Sequence, residues 1–125
     1  MNHLLIVAIG GGIGAALRHL VNVASLRLVG ASFPWGTLAI NILGCFLMGV
    51  FIEVLARRFN ASNELRLFVA TGILGGFTTF SAFSLDFAAL WERGAAAPAI
   101  AYVFASVIGS LAAVFTGLWL ARTLA

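Results

Sequence analysis

Residues 65–91 form an apolar stretch long enough to cross a bilayer, yet its middle reads Gly75-Gly76-Phe77-Thr78-Thr79-Phe80-Ser81-Ala82-Phe83-Ser84. Paired glycines followed by hydroxylated residues are positioned to break a helix there. In hydrocarbon an unsatisfied backbone carbonyl costs several kcal/mol, so non-helical backbone at that depth persists only where protein, ions or water take up the freed groups. The interruption therefore points to a conduction or binding site.

The rest of the chain fits a membrane setting. With 62% hydrophobic and 9% charged residues and a mean hydropathy of +1.12, its 125 residues have too little polar surface to coat a soluble globule. A helix needs about 20 apolar residues to span the hydrocarbon core. Charged and turn-forming clusters divide the sequence into four such stretches, predicted at 4–28, 35–56, 65–91 and 96–120, in one all-α membrane domain covering 1–125. The connectors, 29–34, 57–64 and 92–95, are short. Met1-Asn2-His3 ahead of a full-length span does not read as a cleavable signal, so the N-terminus is expected to be retained. Cys45 is the sole cysteine, sits among apolar neighbours and reads as a small hydrophobe. Asn60-Ala61-Ser62 matches a glycosylation sequon but suits a headgroup-level turn and is given no weight.

A pI near 10.6 raises the question of nucleic acid, but the seven basic residues are all arginines scattered over spans and span ends. Anionic lipid headgroups explain them better. Counted by side, Arg57, Arg58, Arg66 and Arg122 face Arg27 and Arg93, with Arg18 inside the first span. Four against two is a weak bias, and the Lys/Arg asymmetry of short loops sets orientation. Insertion both ways up is expected, leading to an antiparallel dimer in which two copies supply what larger transporters encode as inverted repeats. A parallel homodimer is the plainer alternative.

Several polar residues inside the spans are candidate site residues. Gly10 and Gly14 form a G-x-x-x-G pair that reads as close helix packing. Arg18 lies about 21 Å into its helix at 1.5 Å per residue, and either snorkels to the far interface or faces an aqueous vestibule. Thr37 and Asn41 share a face of the second span, where an amide must find a partner: a pore role and a bundle-holding hydrogen bond are both open. Glu53 stands four residues before Arg57, the spacing of a helix ion pair. Phe80 and Phe83 stand at i, i+3 among hydroxyls, and phenyl edges carry positive charge that attracts an anion. Tyr102, Ser106 and Ser110 recur every four residues and form a polar rail. This lining offers donors to a small anion, with no carboxylate, lysine or histidine at mid-membrane. His3 and His19 lack partners at metal-ligand spacing.

Gly-Thr-Leu-x-x-Asn in the second span and Gly-Gly-x-Thr-Thr-Phe-Ser-x-Phe in the third resemble the Fluc (CrcB) fluoride-channel family, and the likeness extends over all four spans. It includes the glycine-rich run leading to Arg18 and Tyr102-x-x-x-Ser106-x-x-Gly109-Ser110. The resemblance implies a dual-topology, antiparallel homodimer in the bacterial cell membrane, with two pores that let toxic fluoride leave the cytoplasm passively. It implies Phe80, Phe83 and Asn41 in the pore with Thr37 beside them, Tyr102, Ser106 and Ser110 as the hydroxyl track, and Arg18 as the vestibule cation. It further implies a structural sodium ion at the dimer centre, held by the Gly75 and Thr78 carbonyls of both copies. Val114, at the next step of the rail, departs from relatives with threonine there, and Thr116 points elsewhere on the helix.

The runner-up is a small four-span drug/proton antiporter. That mechanism needs an intramembrane carboxylate, for which only Glu53 and Asp86 are on offer. A purely structural assembly subunit would leave the rail and the break unexplained. No nucleophile–base pair is legible, which argues against an enzyme.

Overall fold

In the computed structural model, which describes residues 2–57 and 62–124, each helix starts and stops where local chemistry dictates. Arg58 and the Asn60-Ala61 part of the sequon lie outside the described residues. Helix α1 (His3–Val29) opens with the Asn2 side chain accepting the Leu4 N–H at 2.9 Å, and ends at Gly30, whose φ of +79° suits a residue without Cβ. Helix α2 (Trp35–Arg57) begins directly after Pro34, a residue that tolerates the start of a helix but not its interior.

The third span is composite. Ser62 caps α3 (Asn63–Arg66), which runs into a π-helical segment, Leu67–Leu74, and then a single turn, α4 (Gly75–Phe77). Regular helix resumes only at α5 (Ser81–Glu92). After a turn through Gly94, α6 (Ala96–Leu124) completes the chain. All these elements are helical, and no strand occurs among the described residues.

The predicted spans compare closely with four helical stretches long and apolar enough to cross a membrane: His3–Val29, Trp35–Arg57, Asn63–Glu92 and Ala96–Leu124. The largest difference is at the C-terminal end, where α6 continues past residue 120 to Leu124. The break in the third span is shorter than the ten-residue polar run that signals it, because only Thr78–Phe80 leave the helix.

Helix α1 packs on the π-helical segment and α4, while α2 packs along α6. Gly10 and Gly14 make the first contact possible: a Cβ at Gly10 would stand 2.6 Å from the Phe68 carbonyl oxygen, and one at Gly14 only 2.7 Å from the Phe77 nitrogen. The G-x-x-x-G pair is thus a packing device. Gly49 and Gly117 occupy the corresponding close approach of α2 to α6, with Gly49 against the Val114 carbonyl. The expected Glu53–Arg57 pair is present, Nε to Oε2 at 2.7 Å. It is also part of a larger group, since Arg122 donates from Nε and Nη2 to Oε1 at 3.0 and 2.7 Å and ties α6 to α2.

The interior is thin. Tyr102 and Ile40 are the largest fully buried side chains, and the main apolar cluster comprises Phe83, Leu90, Ala99 and Tyr102.

Candidate functional site

In a continuous helix the N–H of Thr79 would bond the Gly75 carbonyl, and that of Ala82 the Thr78 carbonyl. Both donors are diverted. Thr79 N–H donates to Asn41 Oδ1 at 2.8 Å, and Ala82 N–H donates to Thr79 Oγ1 at 3.1 Å. The Gly75 and Thr78 carbonyls thereby lose their helical donors. Their neighbours gain side-chain partners instead: Arg18 Nε donates to the Gly76 carbonyl at 3.2 Å and Asn41 Nδ2 to the Thr79 carbonyl at 2.9 Å.

Asn41 thus grips Thr79 through both its amide groups, a bond pattern that normally belongs to paired backbone. Arg18, left between snorkelling and vestibule by the sequence, is partly buried and bonded to the broken segment. Thr79, one residue ahead of the Phe80 N-cap of α5, holds the first turn of that helix by accepting the Ala82 N–H on its hydroxyl.

Beside the break lies an open groove of about 480 Å³, lined among others by Asn41, Gly75, Thr78, Phe80, Phe83, Ser106 and Ser110. Five of the seven residues expected to line a pathway converge here. Phe80 and Phe83 have ring centroids 5.4 Å apart at 50°, but their settings differ: Phe80 is 75% exposed and Phe83 only 9%. Phe83 continues into Tyr102, centroids 5.2 Å apart, and Phe33 meets Tyr102 edge-on at 5.5 Å. Ser106 is 5% exposed, and its buried Oγ makes no well-formed hydrogen bond within the protomer, with the Tyr102 hydroxyl as a loose polar neighbour.

The other two expected residues lie deeper and toward one end. Tyr102 is fully buried beneath Phe83 and donates to Asp86 Oδ2 at 3.1 Å. Thr37 is buried on the wall of a second cavity of about 420 Å³, which it shares with Asn22, Ser25, Asp86 and Arg93. Arg93 reaches across to the Ser32 carbonyl and ties the start of the last connector to the first. The rail is therefore divided: Ser106 and Ser110 face the groove, and Tyr102 links it to the polar end cavity. Thr116, rejected as a rail member, bonds back to the Ala112 carbonyl at 2.6 Å.

Two residues of the site, Thr79 and Asp86, were not singled out for these roles by sequence reasoning. The Thr79 signal was available in its spacing, three residues ahead of Ala82 in the first turn of α5. Asp86 was legible only as a carboxylate near a span end, since its bond to Tyr102 joins α5 to α6. Among the described residues no three His, Cys, Asp or Glu side chains group as a metal site. Neither carboxylate is set up as a free proton carrier: Glu53 is engaged by two arginines and Asp86 by Tyr102.

Residues 5–118 match the family model described as CrcB-like protein, Camphor Resistance (CrcB). Among curated relatives, a protein of Mesorhizobium japonicum is 68% identical over 124 residues, covering 99% of each chain. Proteins of Chelativorans sp. and Agrobacterium fabrum are 61% and 57% identical over the same share. Each of the three carries the name fluoride-specific ion channel FluC.

Proposed function

This chain belongs to the CrcB family, and from that membership we propose that it is a fluoride-specific ion channel of the bacterial cell membrane, with the groove beside the third-span break as its conduction path. It is a multi-pass membrane protein and not an enzyme. The observation that carries the assignment of the path is the buried Ser106 hydroxyl, without a well-formed hydrogen bond within the protomer, in a groove shared with Asn41, Ser110 and two phenyl rings.

Fluoride holds its hydration shell tightly, so a selective path must return donors for each water removed. Ser106 and Ser110 supply O–H groups. Asn41 spends one amide N–H on Thr79 and keeps the other for the ion. Phe80 and Phe83 offer positive ring edges, which attract without a formal charge. A path of dipoles suits throughput, because an ion must bind well enough to enter and weakly enough to leave. The end cavity with Thr37 and Asp86 connects this path to water, with Tyr102 between them. Arg18, fixed to Gly76, adds a cation that raises the local anion concentration.

The working unit is an antiparallel dual-topology homodimer with two such paths. Support comes from the thin interior, the 75% exposure of Phe80 on the groove, and the weak arginine asymmetry. A structural sodium ion would be held by the Gly75 and Thr78 carbonyls of both copies, whose own helical donors go elsewhere. Carbonyl oxygens replacing a hydration shell suit such a cation. The antiporter reading is not favoured, since both candidate carboxylates are engaged.

The test is fluoride efflux from proteoliposomes followed with a fluoride electrode. Passive, proton-independent fluoride efflux with negligible chloride efflux is expected. Comparable efflux of the two halides, or transport that requires a proton gradient, would refute the assignment.

A further inference from the structure

We infer that Asn41 is a positioning residue for the broken helix: by taking both backbone groups of Thr79, it holds the Gly75 carbonyl out of the helical ladder, beside the Thr78 carbonyl that the Thr79 hydroxyl spares, and leaves the pair to a cation. The inference rests on the sodium reading above and adds what creates that site in this chain.

The geometry is reciprocal. Nδ2 donates to the Thr79 carbonyl at 2.9 Å while Oδ1 accepts the Thr79 N–H at 2.8 Å, so one α2 side chain supplies both bonds that Thr79 would otherwise seek within its own span. Were Asn41 absent, the Thr79 N–H would have the Gly75 carbonyl as its nearest helical acceptor. Re-forming that bond would consume one of the two oxygens and draw α4 toward α5. Thr79 Oγ1 plays the matching part for the second oxygen, taking the Ala82 N–H that would otherwise bond the Thr78 carbonyl. Arg18 on Gly76 completes the pattern. Of the four carbonyls at 75, 76, 78 and 79, side chains hold 76 and 79, and 75 and 78 are spared. A residue that only lined the pore would need no bond to the Thr79 N–H.

The inference separates from pore lining through two readouts. The first is hydrogen exchange of the Thr79 amide in the purified dimer, followed on peptides covering 75–84. Asn41→Ala should speed that exchange at least tenfold, and Ser110→Ala should leave it unchanged. The second is the sodium concentration that gives half-maximal thermal stabilisation, titrated against a bulky organic cation at constant ionic strength. Asn41→Ala should raise that midpoint at least tenfold, and Ser110→Ala should not move it. If Asn41→Ala does not assemble, Asn41→Leu keeps the side-chain volume and removes both bonds, and it should speed Thr79 exchange and raise the sodium midpoint in the same way. An unchanged Thr79 exchange rate in Asn41→Ala, or wild-type sodium response together with lost flux, would overturn the inference and leave Asn41 a pore-lining group alone. A wild-type protein indifferent to sodium would instead refute the cation site, and the exchange measurement would still decide whether Asn41 holds the break.

Discussion

Ser106 carries a hydroxyl that the protomer buries without a well-formed hydrogen bond, an arrangement that costs up to about 1–3 kcal/mol unless something else satisfies it. A folding role predicts that Ser106→Ala lowers stability. A conducting role predicts the reverse pairing: the melting temperature holds or rises while fluoride efflux falls at least several-fold, checked by thermal denaturation and electrode flux on one preparation. The phenyl rings make a complementary case. Phe80→Ile keeps an apolar side chain at an exposed position but removes the ring edge, so efflux should fall by about an order of magnitude with assembly intact. Undiminished efflux would show that the ring only packs. Phe80, Phe83 and Asn41 were legible as candidate site residues because polar groups and aromatics at helical spacing are conspicuous within an apolar span. What Asn41 bonds was not legible, since its partner Thr79 lies 38 residues away and is reached through backbone atoms that leave no mark on composition. The same holds for Arg18, whose acceptor is a glycine carbonyl.

At the scale of elements, the four spans follow from hydropathy alone, and their ends follow from Asn2, Gly30, Pro34, Ser62 and Gly94. The π-helical segment Leu67–Leu74 carried no such signal. Its side chains, Leu-Phe-Val-Ala-Thr-Gly-Ile-Leu, suit an α-helix equally well, and the segment packs against α1. Gly14 sits at that contact, so Gly14→Ala would place a Cβ against the Ile73 carbonyl and the Phe77 nitrogen, both backbone atoms that cannot rotate away. Overpacking of this kind typically costs about 1–3 kcal/mol. Gly14→Ala should therefore lower the protein's melting temperature markedly, whereas Gly12→Ala, with open space around it, should leave it near wild type. The Glu53 group calls for a different test. Glu53→Gln removes the charge that faces Arg57 and Arg122, so the α2–α6 contact should weaken and the melting temperature fall, while efflux per amount of folded protein stays close to wild type.

For the whole molecule the decisive quantity is the balance of charge between its two ends. Arg57, Arg58, Arg66 and Arg122 oppose Arg27 and Arg93, a bias small enough that a few substitutions should dominate it, because the Lys/Arg excess of short loops decides which end stays in the cytoplasm. Adding arginine at Glu64 and Thr123 makes the count six against two and should fix one orientation. Adding arginine at Ala31, Ser32 and Glu92 while replacing Arg66 with Gln makes it three against five and should fix the other. If the functional unit pairs opposed copies, each locked variant expressed alone should show one-sided labelling of its termini and little fluoride efflux. Expressing the two together should restore efflux, because only then are both orientations present in one membrane. Full activity of either variant alone, with its termini labelled from one side, would mean that parallel copies suffice. The exposed face of Phe80 would then be covered by lipid or by a like-oriented neighbour, and the pairing of the Gly75 and Thr78 carbonyls across an antiparallel axis would have to be abandoned with it.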